Sequence, residues 1–262
     1  MNPPSTIGGI NRLDPKEKNQ IYARLIPIEL LERFQIPTSL VDLQGRSLLE
    51  INAPPGSTST EMSVYHQSGF IDPVLYGHIT DTINGQLHIL LYVLNDPDQP
   101  RFDVDRLADG RSTGYGTKGR NLIAEQAAMQ AGLAPGQVRR GPHLFRAASQ
   151  AFEDFVISLG HSMYFTEPWH YHNALNFERY GFAYVRGRRR MERIARGFSE
   201  GGELIPLLDG STPFRQPQAA NSIRLRSWAI HDGLLGEIFT DITMYKQVGK
   251  PAGVSTCLDC PW

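Results

Sequence analysis

A glycine-rich loop carries the first residues whose types and spacing could do chemistry. The ten residues from Gly110 to Gly119 include four glycines, and Arg111, Lys118 and Arg120 add positive charge. Glycines allow tight turns and close backbone approach, and a helix that begins after such a loop directs unpaired N–H groups at a ligand. The loop therefore predicts a phosphate or pyrophosphate site. A Walker-type site is excluded, because Lys118 precedes a glycine where Ser or Thr would bind magnesium.

A second set of reactive side chains lies between Glu167 and His172. Glu167 and His170 are candidate general bases, since a modest pKa shift brings a carboxylate or an imidazole near neutral pH. Alternatively, Glu167, His170 and His172 supply one carboxylate and two imidazoles, a set that suits a first-row metal ion. The two histidines share a face only in an extended segment, because in a helix they point about 200° apart. A purely structural role for both histidines stays open.

Basic and sulfur-containing residues form three further motifs. Arg139–His143 is a second basic loop, placed directly before a predicted helix. Six arginines lie between residues 186 and 196. Met191 and Ile194 lie among them, which favours a helix with a buried apolar side and a solvated arginine face over a binding site for a partner. These arginines are Arg186, Arg188, Arg189, Arg190, Arg193 and Arg196. Cys257 and Cys260 form a lone C-x-x-C, which suggests half of a zinc site or a frayed tail and gives no disulfide framework.

The sequence contains no motif that indicates a covalent nucleophile. There is no Gly-x-Ser-x-Gly elbow, and the two cysteines lie close to the carboxyl end. His231-Asp232 is a lone pair that is insufficient for a catalytic triad or a metal phosphohydrolase site. The sequence therefore contains no motif that indicates an enzyme-bound covalent intermediate.

The elements that must position these residues begin with a hairpin. Val74–Thr80 and Leu87–Leu94 are strand-type runs on either side of Asn84-Gly85. That dipeptide is typical of a two-residue primed turn with positive φ at both positions. Phe102–Asp105 predicts a third antiparallel strand, which would lead into the glycine-rich loop.

Helices and strands alternate after that loop. Apolar residues recur at helical spacing in Ile123–Ala131 and in Leu144–Leu159. Met163–Phe165 and Phe182–Val185 predict short strands on either side of a helical segment, Pro168–Tyr180. This order predicts an α/β (α+β) fold with a mixed, largely antiparallel central sheet flanked by helices.

The chain before the hairpin predicts smaller elements. Residues 1–14 suggest a poorly ordered arm, Ile28–Phe34 a helix, and residues 40–51 a hairpin around Gln44-Gly45. Ala53–Thr60 is a loop rich in Pro and Ser and is the best linker candidate. We therefore expect an amino-terminal arm, helix and hairpin over residues 1–60, a core over residues 61–200, and a carboxyl-terminal extension packed on that core over residues 201–262.

Composition limits the classes of partner. The 262 residues are 40% hydrophobic, which is enough for a substantial core. The 26 Lys and Arg nearly cancel the 27 Asp and Glu, so no global field favours nucleic acid. The longest strongly apolar run, Ile89–Leu94, is far too short to span a bilayer, and residues 1–19 lack a signal-type apolar core. We expect a cytoplasmic protein that binds a small ligand, with no nucleic-acid partner and no membrane span.

The order of elements and two motifs resemble the GNAT superfamily of acyl-CoA N-acyltransferases. Arg111-Ser112-Thr113-Gly114-Tyr115-Gly116 fits the family's pyrophosphate loop, Arg/Gln-x-x-Gly-x-Gly/Ala, which lies between the fourth strand and a helix. Asn173–Phe182 is similar to the family's later Ala-x-x-x-Tyr-x-x-x-Gly-Phe segment in its closing Gly-Phe and in the aromatic residue four before Gly181. The resemblance covers Val74–Val185. Arg101–Asp105 is also similar to the autoinducer-synthase branch, whose members take acyl groups from CoA or a carrier protein.

The resemblance implies that an amine attacks the thioester of acetyl-CoA or a longer acyl-CoA, with no metal. The CoA-binding residues would be Arg111, Gly114, Tyr115, Gly116, Thr117 and Lys118, with Arg139–His143 as the alternative pyrophosphate loop. The catalytic residues would be Glu167, His170 and Tyr180, with His170 at a family position that often holds a cofactor-contacting asparagine. Phe177 occupies the position of the family's acid tyrosine, so Tyr180, Tyr171 or a water would replace it.

Two alternatives to acyl transfer stay open. A chain without the acid tyrosine could bind CoA or an acyl ligand without turning it over, and the metal hypothesis with Glu167, His170 and His172 remains the other. The partners to consider are a small-molecule amine acceptor, an acyl carrier protein and a second copy of the chain.

Overall fold

The computed structural model describes residues 4–114, 118–258 and 260–262. The helices are α1 Ile7–Ile10, α2 Pro15–Ala23, α3 Ile28–Arg33, α4 Leu122–Gln130, α5 Phe145–Ser158, α6 Tyr171–Arg179, α7 Arg188–Gly197 and α8 Ile223–His231, with a 3₁₀ helix at Pro217–Asn221. The strands are β1 Leu49–Asn52, β2 Ser59–Val64, β3 Leu75–Asp81, β4 Leu87–Leu94, β5 Met163–Thr166, β6 Ala183–Arg186 and β7 Thr243–Gln247.

The strands of the described residues form one open sheet in the order β1-β2-β3-β4-β5-β7-β6. Neighbours from β1 to β4 are antiparallel, whereas β4 and β5 are parallel. Parallel strands need a crossover connection, and the chain between β4 and β5 contains α4 and α5. The predicted mixed, largely antiparallel α/β fold with flanking helices is confirmed.

The chain divides into two compact units, each assembled from separate segments. The first unit contains Met1–Asp98, Gly141–Thr166 and Tyr245–Pro251. The second unit contains Gln99–Arg140, Glu167–Met244 and Ala252–Trp262. Both units therefore draw on distant parts of the sequence.

The amino terminus is part of the first unit's core, so the prediction of a poorly ordered arm is wrong for residues 4–14. Ile7 and Ile10 of α1 are fully buried. The carboxylate of Asp81 accepts from the backbone N–H groups of Ile7 and Gly8, at 2.8 Å each. Asp81 thereby satisfies two donors at the start of α1 that have no partner within the helix.

Two strand predictions need correction. The predicted hairpin around Gln44-Gly45 is shorter than residues 40–51, because it has one antiparallel bridge, Val41 with Ser47. β1 pairs instead with β2, which begins inside the predicted loop. Phe102–Asp105 is not a strand, because the backbone N–H of Phe102 donates to Val138 in the second unit at 2.8 Å. Tertiary contacts override local β propensity in both places.

The β3–β4 hairpin is confirmed, but its turn differs from the prediction. The N–H of Gly85 donates to Thr82 at 2.8 Å, and the N–H of Thr82 donates to Gln86 at 2.7 Å. Of the loop residues 83–85, all of which the structure describes, Gly85 alone has a positive φ, 73°. This is a three-residue loop with glycine in the left-handed position rather than a two-residue primed turn.

The second unit has its own apolar core around Trp228 of α8. Trp228 is fully buried, stacks on Phe214 at 5.3 Å between ring centroids, and packs with Ala128 of α4 and with Leu133. Its indole N–H donates to the carbonyl of Leu133 at 2.8 Å, so the buried polar atom is satisfied. This core fixes α8, and α8 packs against α6.

The carboxyl end of the chain is bound to the second unit, so the frayed-tail hypothesis is wrong for the described residues. Cys257 and Cys260 are joined by a disulfide, which replaces the expectation of half a zinc site. The carbonyl of Pro261 accepts from the N–H of Ile223 at 2.8 Å.

Candidate functional site

Three histidine rings meet in the second unit at the start of α6. His170 is the N-cap residue of α6 in extended conformation, and its backbone N–H donates to Asn173 Oδ1 at 3.1 Å. The His170 ring stacks on that of His172 with centroids 5.6 Å apart, and it meets the ring of His231 edge-on at 5.2 Å. His231 is the last residue of α8. The packing of α6 on α8 therefore joins imidazoles that are distant in sequence.

The tautomer of His172 follows from its neighbours. Because Asn173 accepts through Oδ1 from His170, its amide Nδ2 faces His172 Nε2 as a donor, at 3.1 Å. His172 Nδ1 then carries the proton and donates to Ser227 Oγ at 2.9 Å. Burial, followed by the proximity of His231, lowers the pKa of His172 to about 3. His172 is thus a neutral, fixed imidazole at physiological pH.

His170 combines a neutral ring with partial access. Part of the residue remains accessible, yet burial of the ring, followed by the nearby His172 and His231, lowers the pKa of His170 well below the ordinary histidine value. A Cβ added at Gly136, which has φ 81°, would lie 2.9 Å from His170 Nε2. The glycine therefore allows the imidazole to lie against the backbone at this point.

A charged network lies against His231. The Nε2 atom of His231 is 3.4 Å from Glu125 Oε1, and Arg120 donates to Glu125 Oε2 from Nε at 2.9 Å and to Asp232 Oδ1 from Nη1 at 2.8 Å. Burial alone would raise the pKa of Glu125. The hydrogen bonds from His231 and Arg120 outweigh burial and hold that pKa below its ordinary value. The Glu125 carboxylate is therefore ionised beside His231.

The arrangement offers a neutral imidazole as a candidate proton acceptor. A neutral imidazole is a general base at physiological pH when a substrate proton comes within reach of its free nitrogen. A carboxylate next to an imidazole orients that ring. His170 and His231 lie in contact, and Glu125 supplies the carboxylate. Sequence reasoning missed Glu125 and Ser227, and it set His231 aside as a lone pair.

The structure separates the predicted catalytic residues. Glu167 is exposed directly after β5, whereas His170 is in the histidine cluster. Tyr180 is the C-cap residue of α6 and lies at the opposite end of that helix from His170, about 15 Å away along its axis. Phe177 is half-buried and packs against Phe182 with ring centroids 4.9 Å apart. Of the three, only His170 belongs to a cluster of ionisable groups.

The metal hypothesis depended on a shared face for His170 and His172, and that face exists. His170 precedes α6 in extended conformation and His172 lies inside the helix, so the rings stack at an interplanar angle of 12°. Within the described ranges, however, no group of three or more His, Cys, Asp or Glu side chains is arranged to hold a metal ion.

Residues of the glycine-rich loop form hydrogen bonds with residues close to them in sequence. Arg111 is exposed, and its Nε donates to Asp109 Oδ2 at 2.6 Å. Gly114 has φ 57°, and the N–H of Lys118 donates to Thr113 at 2.9 Å. Tyr115, Gly116 and Thr117 lie outside the described residues. The following helix, α4, is capped by Asn121 Oδ1, which accepts from Ala124 at 3.2 Å. That cap already uses one of the donors an anion would need.

In the first unit, the parallel pairing of β4 with β5 ends next to a β-bulge in β4. Their parallel register covers only three residues of β4, from Leu87 to Ile89. Against β3, His78 pairs with Leu91 and Ile79 pairs with Ile89, so Leu90 is the extra residue of a bulge. The N–H of Asn95 donates to the carbonyl of Val74, the residue before β3. Because the backbone groups of successive strand residues point to opposite edges, those of Tyr92 and Leu94 are directed toward the β5 side. The bulge thus lies where the parallel pairing ends.

The second basic loop, Arg139–His143, lies between α4 and α5 and leads into α5. A Cβ added at Gly141 would lie 3.1 Å from the carbonyl oxygen of Leu94, so the backbone passes close to the end of β4. His143 has φ 61°, and Leu144 caps α5 without a side-chain hydrogen bond. No acidic residue lies in the first turn of this 14-residue helix, and Arg146 is exposed there. Such a helix start favours an anion.

The arginine-rich segment forms α7. Met191 and Ile194 are buried, which confirms the predicted buried side. Four arginines of α7 are exposed, namely Arg188, Arg189, Arg193 and Arg196, whereas the Arg190 side chain is mostly buried. Several of them form ion pairs, such as Arg188 with Glu192 at 2.9 Å and Arg193 with Glu237 at 3.2 Å. Exposed pairs of this kind contribute little to stability.

Comparisons with protein-family models, with curated proteins and with solved structures gave no match. Over residues 4–114, 118–258 and 260–262, none of the helices is long and apolar enough to cross a membrane.

Proposed function

We propose that the protein transfers an acyl group from acyl-CoA, or from an acyl carrier protein, to the amine of a small molecule in the cytoplasm. The observation that carries the proposal is that the parallel β4–β5 pairing ends at Ile89, next to the Leu90 bulge, while β4 continues to Leu94. An open strand edge is a place where an extended ligand adds backbone-like hydrogen bonds. The pantetheine arm of CoA or of a carrier protein is extended and contains two amide groups, so its chemistry suits this edge.

The same part of β4 supports the stabilisation of an oxyanion. The backbone groups of Tyr92 and Leu94 are directed toward the β5 side beyond the last paired residue, Ile89. An N–H on a rigid strand is a preorganised donor for the oxygen of a tetrahedral intermediate. We assign this role to the N–H of Tyr92, because it lies next to the bulge.

The start of α5 is the stronger candidate for the pyrophosphate. Leu144, the N-cap residue of α5, makes no side-chain cap hydrogen bond, and Arg146 adds a cation. The start of α4, in contrast, is capped by Asn121, and Arg111 pairs with Asp109. We therefore favour residues 141–146 over the glycine-rich loop, which remains the alternative.

The reaction needs no covalent enzyme intermediate. The amine nitrogen attacks the thioester carbonyl carbon, the C–N bond forms and the C–S bond breaks. A base takes one proton from the amine, and an acid or a water returns a proton to the thiolate. We propose His170 as the base, because its ring is neutral at physiological pH. Glu167 is the alternative base, and Tyr180 is the residue proposed to protonate the thiolate.

Binding is tested first, by calorimetry and thermal shift with CoA, acetyl-CoA and a long-chain acyl-CoA. A ligand at a hundredfold its Kd stabilises the folded protein by about 2.7 kcal/mol. We expect Arg146→Ala to weaken CoA binding about tenfold, or about 1.4 kcal/mol, and Arg189→Ala on α7 to leave it unchanged. A selective loss in Arg111→Ala would move the pyrophosphate to the glycine-rich loop. Absence of binding by every CoA species would overturn the proposal.

A non-catalytic CoA-binding protein is the second candidate, and Phe177 at the family's tyrosine position favours it. Release of free thiol from acyl-CoA in the presence of a panel of amines distinguishes the two. Under the transferase proposal, His170→Gln lowers turnover at least a hundredfold, the usual scale of general-base catalysis, and leaves CoA affinity unchanged. Binding without thiol release in the native protein would support the second candidate.

A further inference from the structure

The disulfide near the carboxyl end is tied into the second unit on both sides. Before it, the N–H of Thr256 donates to Glu178 Oε2 at 2.9 Å and its hydroxyl donates to Glu178 Oε1 at 2.7 Å. After it, Arg179 donates to the carbonyl of Cys260 at 3.3 Å, and Ile223 donates to the carbonyl of Pro261 at 2.8 Å. The pair Cys257–Cys260 therefore joins two segments that bind α6 and the start of α8.

A single guanidinium contacts both sulfur atoms. Arg226 Nη1 lies 3.3 Å from Cys257 Sγ and 2.9 Å from Cys260 Sγ. The side chain is held from the other direction, because Nε donates to the carbonyl of Ala220 at 2.8 Å and the guanidinium lies 5.1 Å from the centroid of the Phe198 ring. A fixed cation next to a cysteine favours the thiolate and lowers the pKa of the thiol.

We propose that Cys257–Cys260 is a reversible redox site whose co-reactant is a thiol or dithiol reductant. The thiolate of the reductant attacks one sulfur, the Cys257–Cys260 bond breaks and a mixed disulfide forms. A second thiolate of the reductant resolves it, so that two electrons reduce the pair and the reductant leaves as a disulfide. Arg226 stabilises the thiolate of the reduced pair. Both cysteines are partly exposed, which gives the reductant access.

The redox state of the pair also controls a contact with the histidine cluster. The ring of Trp262 meets His172 edge-on with centroids 6.1 Å apart, and Arg179 lies over Trp262 at 6.0 Å. The disulfide restricts the backbone immediately before these contacts. Reduction therefore loosens residues 260–262 and uncovers the His172 side of the cluster. This inference is independent of the acyl-transfer proposal, since it depends only on contacts within the second unit.

The redox equilibrium tests the proposal. Protein is equilibrated in mixtures of reduced and oxidised dithiothreitol, its free thiols are labelled with a polyethylene-glycol maleimide, and the labelled fractions are separated by gel. We expect both thiols to appear together in the native protein. Arg226→Gln should require about a tenfold more reducing mixture, equivalent to about 30 mV. The matched control is Arg224→Gln on the same helix, because Arg224 donates to Met129 and not to sulfur.

Two further readouts keep the proposal falsifiable if Arg226→Gln fails to fold. In the reduced native protein, the rate of alkylation against pH should show an inflection below the ordinary thiol pKa, about 8.5. In hydrogen exchange, reduction or the double change Cys257→Ser and Cys260→Ser should speed exchange of the Cys260, Trp262 and Ile223 amides. Equal redox equilibria for the Arg226 and Arg224 variants, an ordinary thiol pKa, or unchanged exchange on reduction would each overturn it.

Discussion

At the scale of single residues, the second unit buries uncharged imidazoles next to an ionised carboxylate. His172 donates to Ser227, accepts from Asn173, and stacks on His170. Glu125 keeps its charge because Arg120 and His231 bind it. Burial of the cluster is therefore favourable only while its two stacked histidines remain neutral. The stability of the fold should then fall as the pH is lowered.

We predict that the free energy of unfolding falls as pH is lowered from 6.5 to 5. The pKa of His172 is about 3 in the folded chain, whereas an unfolded histidine titrates near 6.5. The unfolded state binds more protons in this window, so stability rises with pH, by up to about 1.4 kcal/mol per pH unit for each such histidine. His170 contributes with the same sign. Urea unfolding at several pH values measures the slope.

Variants assign that slope to the cluster. His172→Gln should flatten the dependence, and His143→Asn, a change in an exposed loop residue, should not. Measurements stop at pH 5. Below the ordinary pKa range of glutamate, the lowered pKa of Glu125 in the folded chain would add a second loss of stability with the same sign. Parallel slopes for the native protein and His172→Gln would contradict the assignment.

At the scale of elements, short helices and strands depend on partners elsewhere in the chain. α1 has only four residues and could not persist alone. It is held because Ile7 and Ile10 are buried and because Asp81, at the end of β3, accepts its first N–H groups. β4 also depends on distant partners: it pairs along its length with β3 but only over three residues with β5.

We predict that Asp81→Ala destabilises the protein by about 1–3 kcal/mol, the usual effect of leaving buried donors without an acceptor. Amide exchange of residues 7–11 should increase together with a lower urea midpoint. Asp98→Ala, at an exposed position, is the matched control and should change neither. Undiminished protection of α1 in Asp81→Ala would show that apolar packing alone holds it.

At the scale of the whole molecule, each compact unit has its own interior. In the second unit, Trp228 packs with Phe214, Leu133 and Ala128, and its indole is hydrogen-bonded. The helix that carries it also carries His231, Ser227 and Arg226. α8 therefore contributes both to the core of this unit and to its cluster of ionisable groups.

We predict that Trp228→Ala costs about 3–5 kcal/mol through the cavity it leaves. Exchange should increase in α4, α6 and α8, and the histidine contacts should weaken with it. Trp169→Ala is the control, because Trp169 is 42% exposed and its replacement should cost far less. Similar losses in the two variants, measured by urea unfolding, would contradict the assignment of the core.

The sequence by itself determined the elements whose signal is local. The 3.6-residue repeat of Leu144–Leu159 became α5, the alternation on either side of Asn84-Gly85 became the β3–β4 hairpin, and Met191 with Ile194 marked the buried side of α7. These patterns succeed because each is set by neighbours a few residues apart. The sequence also singled out His170 and His172, although not their partners.

Only the tertiary structure decided which distant residues meet. β2 is rich in Ser and Thr and gave no clear strand signal, yet it pairs on both edges. Glu125 and Ser227 join the histidines because α4, α6 and α8 share one unit, which no spacing along the chain encodes. The bulge at Leu90 likewise requires two partner strands to define it. Side-chain periodicity fixes local conformation, whereas contacts across the fold arise from packing that no local pattern specifies.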